Sequence, residues 1–380
     1  MKSKARWAVA LAGIMGACLG TITSQAASNR EANEATAMMN NAAEEQRAAA
    51  AARAKDPAWK PACAEAGVIQ IGNSKQPGAL KNFCLNAEGN ILACVAPVET
   101  RKSAQGRSTQ GILVYSPGGK LLKTMPLEIK PGAIAVGKDG SIFVAGDGRL
   151  LKLDPTGKVL ASAASPVAAE PVVIGEEVEE MLKQTKRPIK EEKARMKAAL
   201  ELRRADVTGL AVTERDVFMV VPAPSEFTYR VYRFDQMLGS PKLVVEKLRG
   251  CCGQMDIQAH EDKMWIPHNA RHSVESRDRD GNELSKFGKA GRVKAQDFGG
   301  CCEPKNMRVL SNGDVLVAES GPPTCIKRFS ATGKFLGVVA AVGDAKGDCV
   351  RVTVEMSQDG SRYYLLDTTR DAIRIFQTKS

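Results

Sequence analysis

From Val68 onward the chain repeats one phrase: an apolar strand, a tight turn, a second apolar strand, a variable loop, a third strand, a second turn and a fourth strand. The first turns, or their stand-ins, are Glu88-Gly89, Asp139-Gly140, Arg215-Asp216, Glu261-Asp262, Asn312-Gly313 and Asp359-Gly360. Gly89 and Gly140 lie 51 residues apart, Asp216 and Asp262 46, Asp262 and Gly313 51, and Gly313 and Gly360 47. The second turns recur in step at Pro117-Gly118-Gly119-Lys120, Pro155-Thr156-Gly157-Lys158, Asp280-Gly281-Asn282 and Ala331-Thr332-Gly333-Lys334. Glycine beside a polar residue supplies the positive φ that a hairpin turn needs. Six phrases at the period of four-stranded blades predict an all-β fold, a six-bladed β-propeller over residues 68–380.

Two irregularities refine this picture. The sixth phrase stops at Ile373-Arg374-Ile375-Phe376, one strand short, and leaves an open sheet edge. Val68-Ile69-Gln70-Ile71 is the natural filler, so an N-terminal strand is expected to close the last blade. The one long interval, 76 residues from Gly140 to Asp216, holds a charged insertion at 176–205. Seven acidic and nine basic residues stand between Glu176 and Arg204, and Pro188 divides the segment into two helical pieces. Charges so nearly balanced suit a solvated helical hairpin beside the ring; the alternative is an arm that docks a partner. Residues 28–67 form an Ala- and charge-rich segment whose stretch from Ala42 to Lys55 has no Leu, Ile or Val, and it reads as a solvated helix or flexible spacer.

The chain has no Trp-Asp dipeptide, which disfavours a WD40 propeller. Blade five reads Asn306-Met307-Arg308-Val309, Asn312-Gly313, Val315-Leu316-Val317-Ala318-Glu319 and Ile326-Lys327-Arg328-Phe329. This order resembles NHL-repeat six-bladed propellers, and the resemblance spans roughly 68–376. The phrases Gly250-Cys251-Cys252-Gly253 and Gly299-Gly300-Cys301-Cys302, with the charged insertion, are most similar to secreted bacterial propellers that carry Gly-Cys-Cys phrases. That resemblance implies a fold and no particular activity. Blade four departs from the pattern, with Ile266-Pro267-His268-Asn269 where blade five has Val317-Ala318-Glu319-Ser320, so no shared ligand chemistry carries over.

Composition adds compartment and charge. At 380 residues, 43% hydrophobic, with a mean hydropathy of -0.22, the chain suits a globular protein with a sizeable core. Residues 1–27 carry Lys2, Lys4 and Arg6, an apolar run from Trp7 to Leu19, and the small-residue site Ser24-Gln25-Ala26-Ala27. This is the pattern of a secretory signal peptide. Cleavage before Cys18 at Met15-Gly16-Ala17-Cys18 is the alternative, and only that route gives a lipid anchor and membrane attachment. An exported protein is expected, periplasmic, extracellular or envelope-associated. Losing the three leader cations lowers the net charge from +11 to +8, and with no basic patch no nucleic-acid partner is expected.

Ten cysteines beside three histidines are the remaining oddity. Aligned on the first turns, Cys302 stands 11 residues before Gly313, Cys349 11 before Gly360, and Cys252 10 before Asp262. Each therefore enters the innermost strand of its blade, on the face that also carries the loop after the second strand. His268, Glu319 and Asp367 end those second strands, and Cys325 begins the third strand of blade five. Cys251, Cys252, Cys301, Cys302, Cys325, Cys349, His268, Glu319 and Asp367 thus compose a candidate ligand-binding face around the central channel.

Three readings of that face stay open. Vicinal or neighbouring disulfides would staple the loops, although adjacent Cα atoms about 3.8 Å apart make a vicinal bond strained. Cys252, Cys302, Cys349 and His268 would alternatively hold a metal ion or an iron–sulfur cluster, without any Cys-x-x-Cys spacing. Free thiols are the third. Cys84 and Cys94 flank the Glu88-Gly89 turn, where a cross-strand disulfide is geometrically open to them; it would leave an odd number of cysteines. Asp278, Asp280 and Asn282 alternate like calcium ligands but read better as a hairpin turn, and Gly-x-Ser-x-Gly, His-Glu-x-x-His and phosphate-loop signatures are absent. The expected role is binding of a ligand or an envelope protein on the cysteine-bearing face. The alternatives are a thiolate redox protein and a metal-dependent lyase or hydrolase.

Overall fold

A computed structural model describes residues 44–45, 48–71, 80–97, 110–183, 188–250, 253–300, 302–321, 323–342 and 350–378. Residues 1–27, where a signal peptide is expected, and Cys251, Cys252, Cys301 and Cys349 lie outside the described residues. The chain divides into two compact units, Met1–Ala52 and Arg53–Ser380; within the first, residues 44–45 and 48–52 are helical. Among the described residues no helix is long and apolar enough to cross a membrane.

The second unit is a ring of six four-stranded antiparallel sheets. Strand β1 (Cys63–Gln70) is followed by blade one, β2 (Leu80–Leu85), β3 (Ile91–Val95), β4 (Gly111–Tyr115) and β5 (Leu121–Pro126). Blade two comprises β6 (Ala133–Val136), β7 (Ile142–Gly146), β8 (Arg149–Leu153) and β9 (Val159–Ala164). Blade three comprises β10 (Gly209–Val212), β11 (Asp216–Pro222), β12 (Thr228–Asp235) and β13 (Lys242–Arg249). Blade four comprises β14 (Gln258–His260), β15 (Lys263–His268), β16 (Ser273–Arg277) and β17 (Glu283–Phe287). Blade five comprises β18 (Asn306–Val309), β19 (Val315–Glu319), β20 (Thr324–Phe329) and β21 (Phe335–Val342). Blade six contributes β22 (Val354–Met356), β23 (Arg362–Asp367) and β24 (Ala372–Thr378), and its fourth strand is β1.

The N-terminal closure expected from the open edge is therefore present. β1 pairs antiparallel with β24 from Cys63↔Thr378 to Gln70↔Ala372. It begins at Cys63 rather than Val68, because the long β24 offers partners that far and draws the end of the Ala- and charge-rich segment into the ring.

Burial follows position within a blade. The second strands β3, β7 and β19 are buried at every position, since each has a strand on either side and a blade against either face. The outer strand β9 is exposed or half-exposed throughout. The core is correspondingly six apolar clusters, each filling the gap between successive blades. The cluster that joins blade six to blade one contains Ile69, Phe83, Tyr364 and Ile373. Gly140 at φ 79° and Gly157 at φ 93° occupy the left-handed turn positions their motifs call for. Blade three lacks the first-turn glycine, and there Thr213 Oγ1 accepts the Asp216 N–H at 2.9 Å instead.

The insertion forms α1 (Glu176–Lys183) and α2 (Ile189–Arg203), with Pro188 at the N-cap of the second. Met196 and Leu200 of α2 are buried, and Lys193 Nζ donates to Glu179 Oε1 at 2.6 Å to tie the two helices together.

Ile69 tests the closure, being only 4% exposed between the first and last blades. Ile69→Ala is expected to lower unfolding stability by about 2–5 kcal/mol in urea titration, the range for truncating a core isoleucine.

Candidate functional site

The inner strands start on one face of the ring, and the residues ahead of them meet at its axis. Arg351 of blade six spans the channel: Nη1 donates to Gly132 O at 3.1 Å and Nη2 to Thr208 O at 3.0 Å, in blades two and three. Gln254 Nε2 of blade four donates to Val352 O at 2.8 Å, and Thr353 Oγ1 donates to Asn82 Oδ1 at 2.8 Å in blade one. Deeper down, Asn306 Nδ2 donates to Asp256 Oδ2 at 2.6 Å. Burial pushes the Asp256 carboxyl up to about 6, with the Ile257 N–H, Gln258, Arg308 and Arg351 pulling the other way. Arg308 in turn contacts Glu355. The axis thus carries two buried carboxylates, Asp256 and Glu355, beside the half-buried Arg308 and Arg351.

A cavity of about 460 Å³ opens at this mouth. Its charged lining residues are Lys81, Lys130, Asp147, Asp206 and Arg351, and Gly253 closes the side toward blade four. The Asp147 carboxylate is fixed by the Lys130 backbone N–H at 2.7 Å. Asp206 keeps a surface toward solvent, yet partial desolvation raises its pKa against the pull of Arg203 and Arg351, and Asp147 raises it further. On the far side of Arg351 a small cavity of about 20 Å³ reaches Asp367.

The residues singled out by spacing divide into separate groups. Asp367 ends β23, where its Oδ2 lies 3.3 Å from Arg374 Nε in an ion pair. His268 ends β15 and is 1% exposed, its Nδ1 lying 2.8 Å from Glu275 Oε1, while Arg277 Nη2 donates to Glu275 Oε2 at 2.7 Å. His268 Nε2 is buried with no hydrogen-bond partner among the described residues.

Cys302, Glu319 and Cys325 fall together inside blade five. Glu319 Oε2 accepts the Gly299 N–H at 3.0 Å and faces Arg53 Nη1 at 3.5 Å, and Lys327 contacts its other oxygen. Cys325 stands opposite Glu319 in the sheet, where burial, reinforced by Glu319, pushes its thiol up to about 12. None of these groups lines the large cavity.

One expectation needs correction. Cys84 and Cys94 carry no disulfide. Cys94 pairs with Asn82 and Cys84 with Leu92, so the thiols are diagonal neighbours. Diagonal partners sit about 7–8 Å apart, beyond the usual disulfide span of about 4.4–6.8 Å. Both are buried, and Cys84 is pushed up to about 12, chiefly by desolvation. Of the expected metal set, Cys252 and Cys349 lie outside the described residues, while Cys302 and His268 fall in separate groups, beside Lys305 and Glu275.

The pocket residues had a sequence signal. Lys130 and Asp206 each stand 10 residues before their blade's first-turn position, at Gly140 and Asp216, as Cys252 does before Asp262. The spacing that picked out the cysteines marks the same entrances in blades two and three.

Glu275 generates a test. Burial favours its neutral form, but hydrogen bonds and charge from His268 and Arg277 override this and hold the carboxyl down at about 2. Stability from this depressed carboxylate is complete above its ordinary pKa of about 4.5 and is lost as pH falls toward 2. Chemical unfolding is expected to show a loss on the order of 3 kcal/mol across that window. Glu275→Gln is expected to start less stable at neutral pH and to lose that slope.

No family model matches the chain, and no curated protein matches it. Solved structures do. A protein of unknown function from Bacteroides thetaiotaomicron superposes with a TM-score of 0.52 at 12% identity, over 86% of this chain and 73% of that one. A gluconolactonase from Xanthomonas campestris gives 0.49 at 11% identity, over 86% and 99%. The β-propeller domain of Myceliophteria thermophila Cps50 (Swd1) gives 0.46 at 10%, over 83% and 100%. At these identities the likeness concerns the propeller fold alone.

Proposed function

We propose that this protein is an exported β-propeller that binds a small ligand bearing a carboxylate or other anionic group at the mouth of its central channel. Export rests on the basic, then apolar, then small-residue pattern of residues 1–27. The observation that carries the binding reading is Arg351 beside a 460 Å³ cavity. A cavity of that size suits a small molecule. Guanidinium has five donors, of which the carbonyls of Gly132 and Thr208 take two, so the fork is held rigid while donors remain for a ligand. Lys81 and Lys130 add positive charge at the rim. The cysteine-bearing entrances of blades four and six are sequence neighbours of this pocket, since Gly253 and Arg351 line it.

Citrate is a suitable probe. Titration calorimetry is expected to detect its binding, and Arg351→Gln is expected to weaken it at least about tenfold, the scale of one charge-assisted hydrogen bond. Asp206→Asn is expected to tighten citrate binding, because it removes a negative charge beside Arg351. Equal binding by the variant, or none by the native protein, would sink the reading.

One observation favours the thiolate metal reading as a second choice. A ligating histidine commonly donates its other ring N–H to a carboxylate, and His268 does so to Glu275 while its Nε2 has no partner among the described residues. On that reading, elemental analysis of native protein finds about one metal per chain, and His268→Ala loses it. Metal-free protein would remove this alternative.

A further inference from the structure

Blade five buries reactive groups that a ligand at the channel mouth would not touch. Lys305 Nζ lies 3.1 Å from Cys302 Sγ, with Cys302 1% exposed and Lys305 wholly buried. The turn between them is held on both sides. Glu303 Oε1 accepts from the Ser320 N–H at 2.9 Å, the Ser320 hydroxyl at 2.7 Å and the Gly321 N–H at 2.9 Å. The Lys305 backbone N–H donates to Ala318 O at 3.1 Å. Glu303 Oε2 is buried beside this turn with no hydrogen-bond partner among the described residues. An amine is therefore pressed against a sulfur by backbone contacts on each flank, not by a flexible surface encounter.

We infer that Cys302 and Lys305 form a reversible covalent cross-link, a sulfenamide joining Sγ to Nζ, when the protein meets a peroxide. In the first step the sulfur gives two electrons to hydrogen peroxide, the O–O bond breaks, and Cys302 becomes a sulfenic acid. The leaving hydroxide takes the proton held between sulfur and amine and departs as water. In the second step the Lys305 nitrogen attacks the sulfur, the S–O bond breaks, and a second water leaves. One thiol, one amine and one peroxide thus give one S–N bond and two waters, with peroxide as the only oxidant. Once the chain is unfolded, reduction by a dithiol returns the thiol and the amine. Burial favours this outcome over a mixed disulfide, because bulky thiols cannot reach the sulfur that Lys305 already touches.

The test is peptide mapping of the full-length native protein. After excess hydrogen peroxide, denaturation, thiol alkylation and trypsin, the peptide through Cys302 and Lys305 should be two hydrogens lighter, unalkylated at Cys302 and uncut after Lys305. Dithiothreitol should restore mass, alkylation and cleavage. Cys301→Ser should keep the cross-link and Cys302→Ser should abolish it. Should the Cys301 variant fail to fold, the native digest still decides, because a Cys301–Cys302 disulfide loses the same mass but leaves the Lys305–Asn306 bond open to trypsin. Cleavage at Lys305 after oxidation, with Cys302 in a disulfide, as sulfinic acid or still alkylated, would overturn the inference. So would a linkage that retains an added oxygen, since no second water would then have left.

Discussion

Closure of the ring is the constraint on which the other features rest. Six sheets whose second strands are largely buried cannot cover their faces unless the last blade meets the first. The antiparallel pairing of β1 with β24 completes blade six, and the cluster around Ile69, Phe83, Tyr364 and Ile373 seals the joint. Once closed, the ring forces the starts of six inner strands to converge. Their polar backbone groups then face one another rather than water and need partners.

The axis supplies those partners from opposite sides of the ring. Arg351 reaches from blade six to carbonyls of blades two and three, and Gln254 reaches from blade four to blade six. These bonds brace the mouth, and they also set a rigid guanidinium beside the cavity. A pre-held fork loses less freedom on binding than a surface arginine would, so the same contacts serve stability and recognition. Desolvation acts on the acids nearby: it raises the pKa values of Asp256 and Asp206, so their negative charge is lost at a higher pH than an ordinary aspartate's.

Most of the fold was legible from the chain because it rests on local rules. Gly140 and Gly157 mark turns that only a positive φ completes, and the missing fourth strand after Phe376 foretells the role of β1. The site was less legible. Spacing put His268, Glu319 and Asp367 correctly at the ends of second strands, but it could not show that His268 turns to Glu275 or that Glu319 is enclosed by Arg53 and Lys327. Arg53 is 266 residues from Glu319, and even where partners are near in sequence, as His268 and Glu275 are, side-chain direction depends on packing. Lys130 and Asp206 obey the entrance spacing as well, yet an ordinary lysine and aspartate attract less notice than paired cysteines. The diagonal offset of Cys84 from Cys94 depends on strand register around a bulge between Leu80 and Asn82, which turn motifs do not specify.

Recognition at the channel mouth is most directly measured by hydrogen exchange of the native protein with and without citrate. Binding beside Arg351 predicts slower exchange where the inner strands begin, at 132–134, 206–210 and 351–354, with the outer strands unchanged. Protection confined to the outer strands or to the helical insertion, with those amides unaffected, would contradict it.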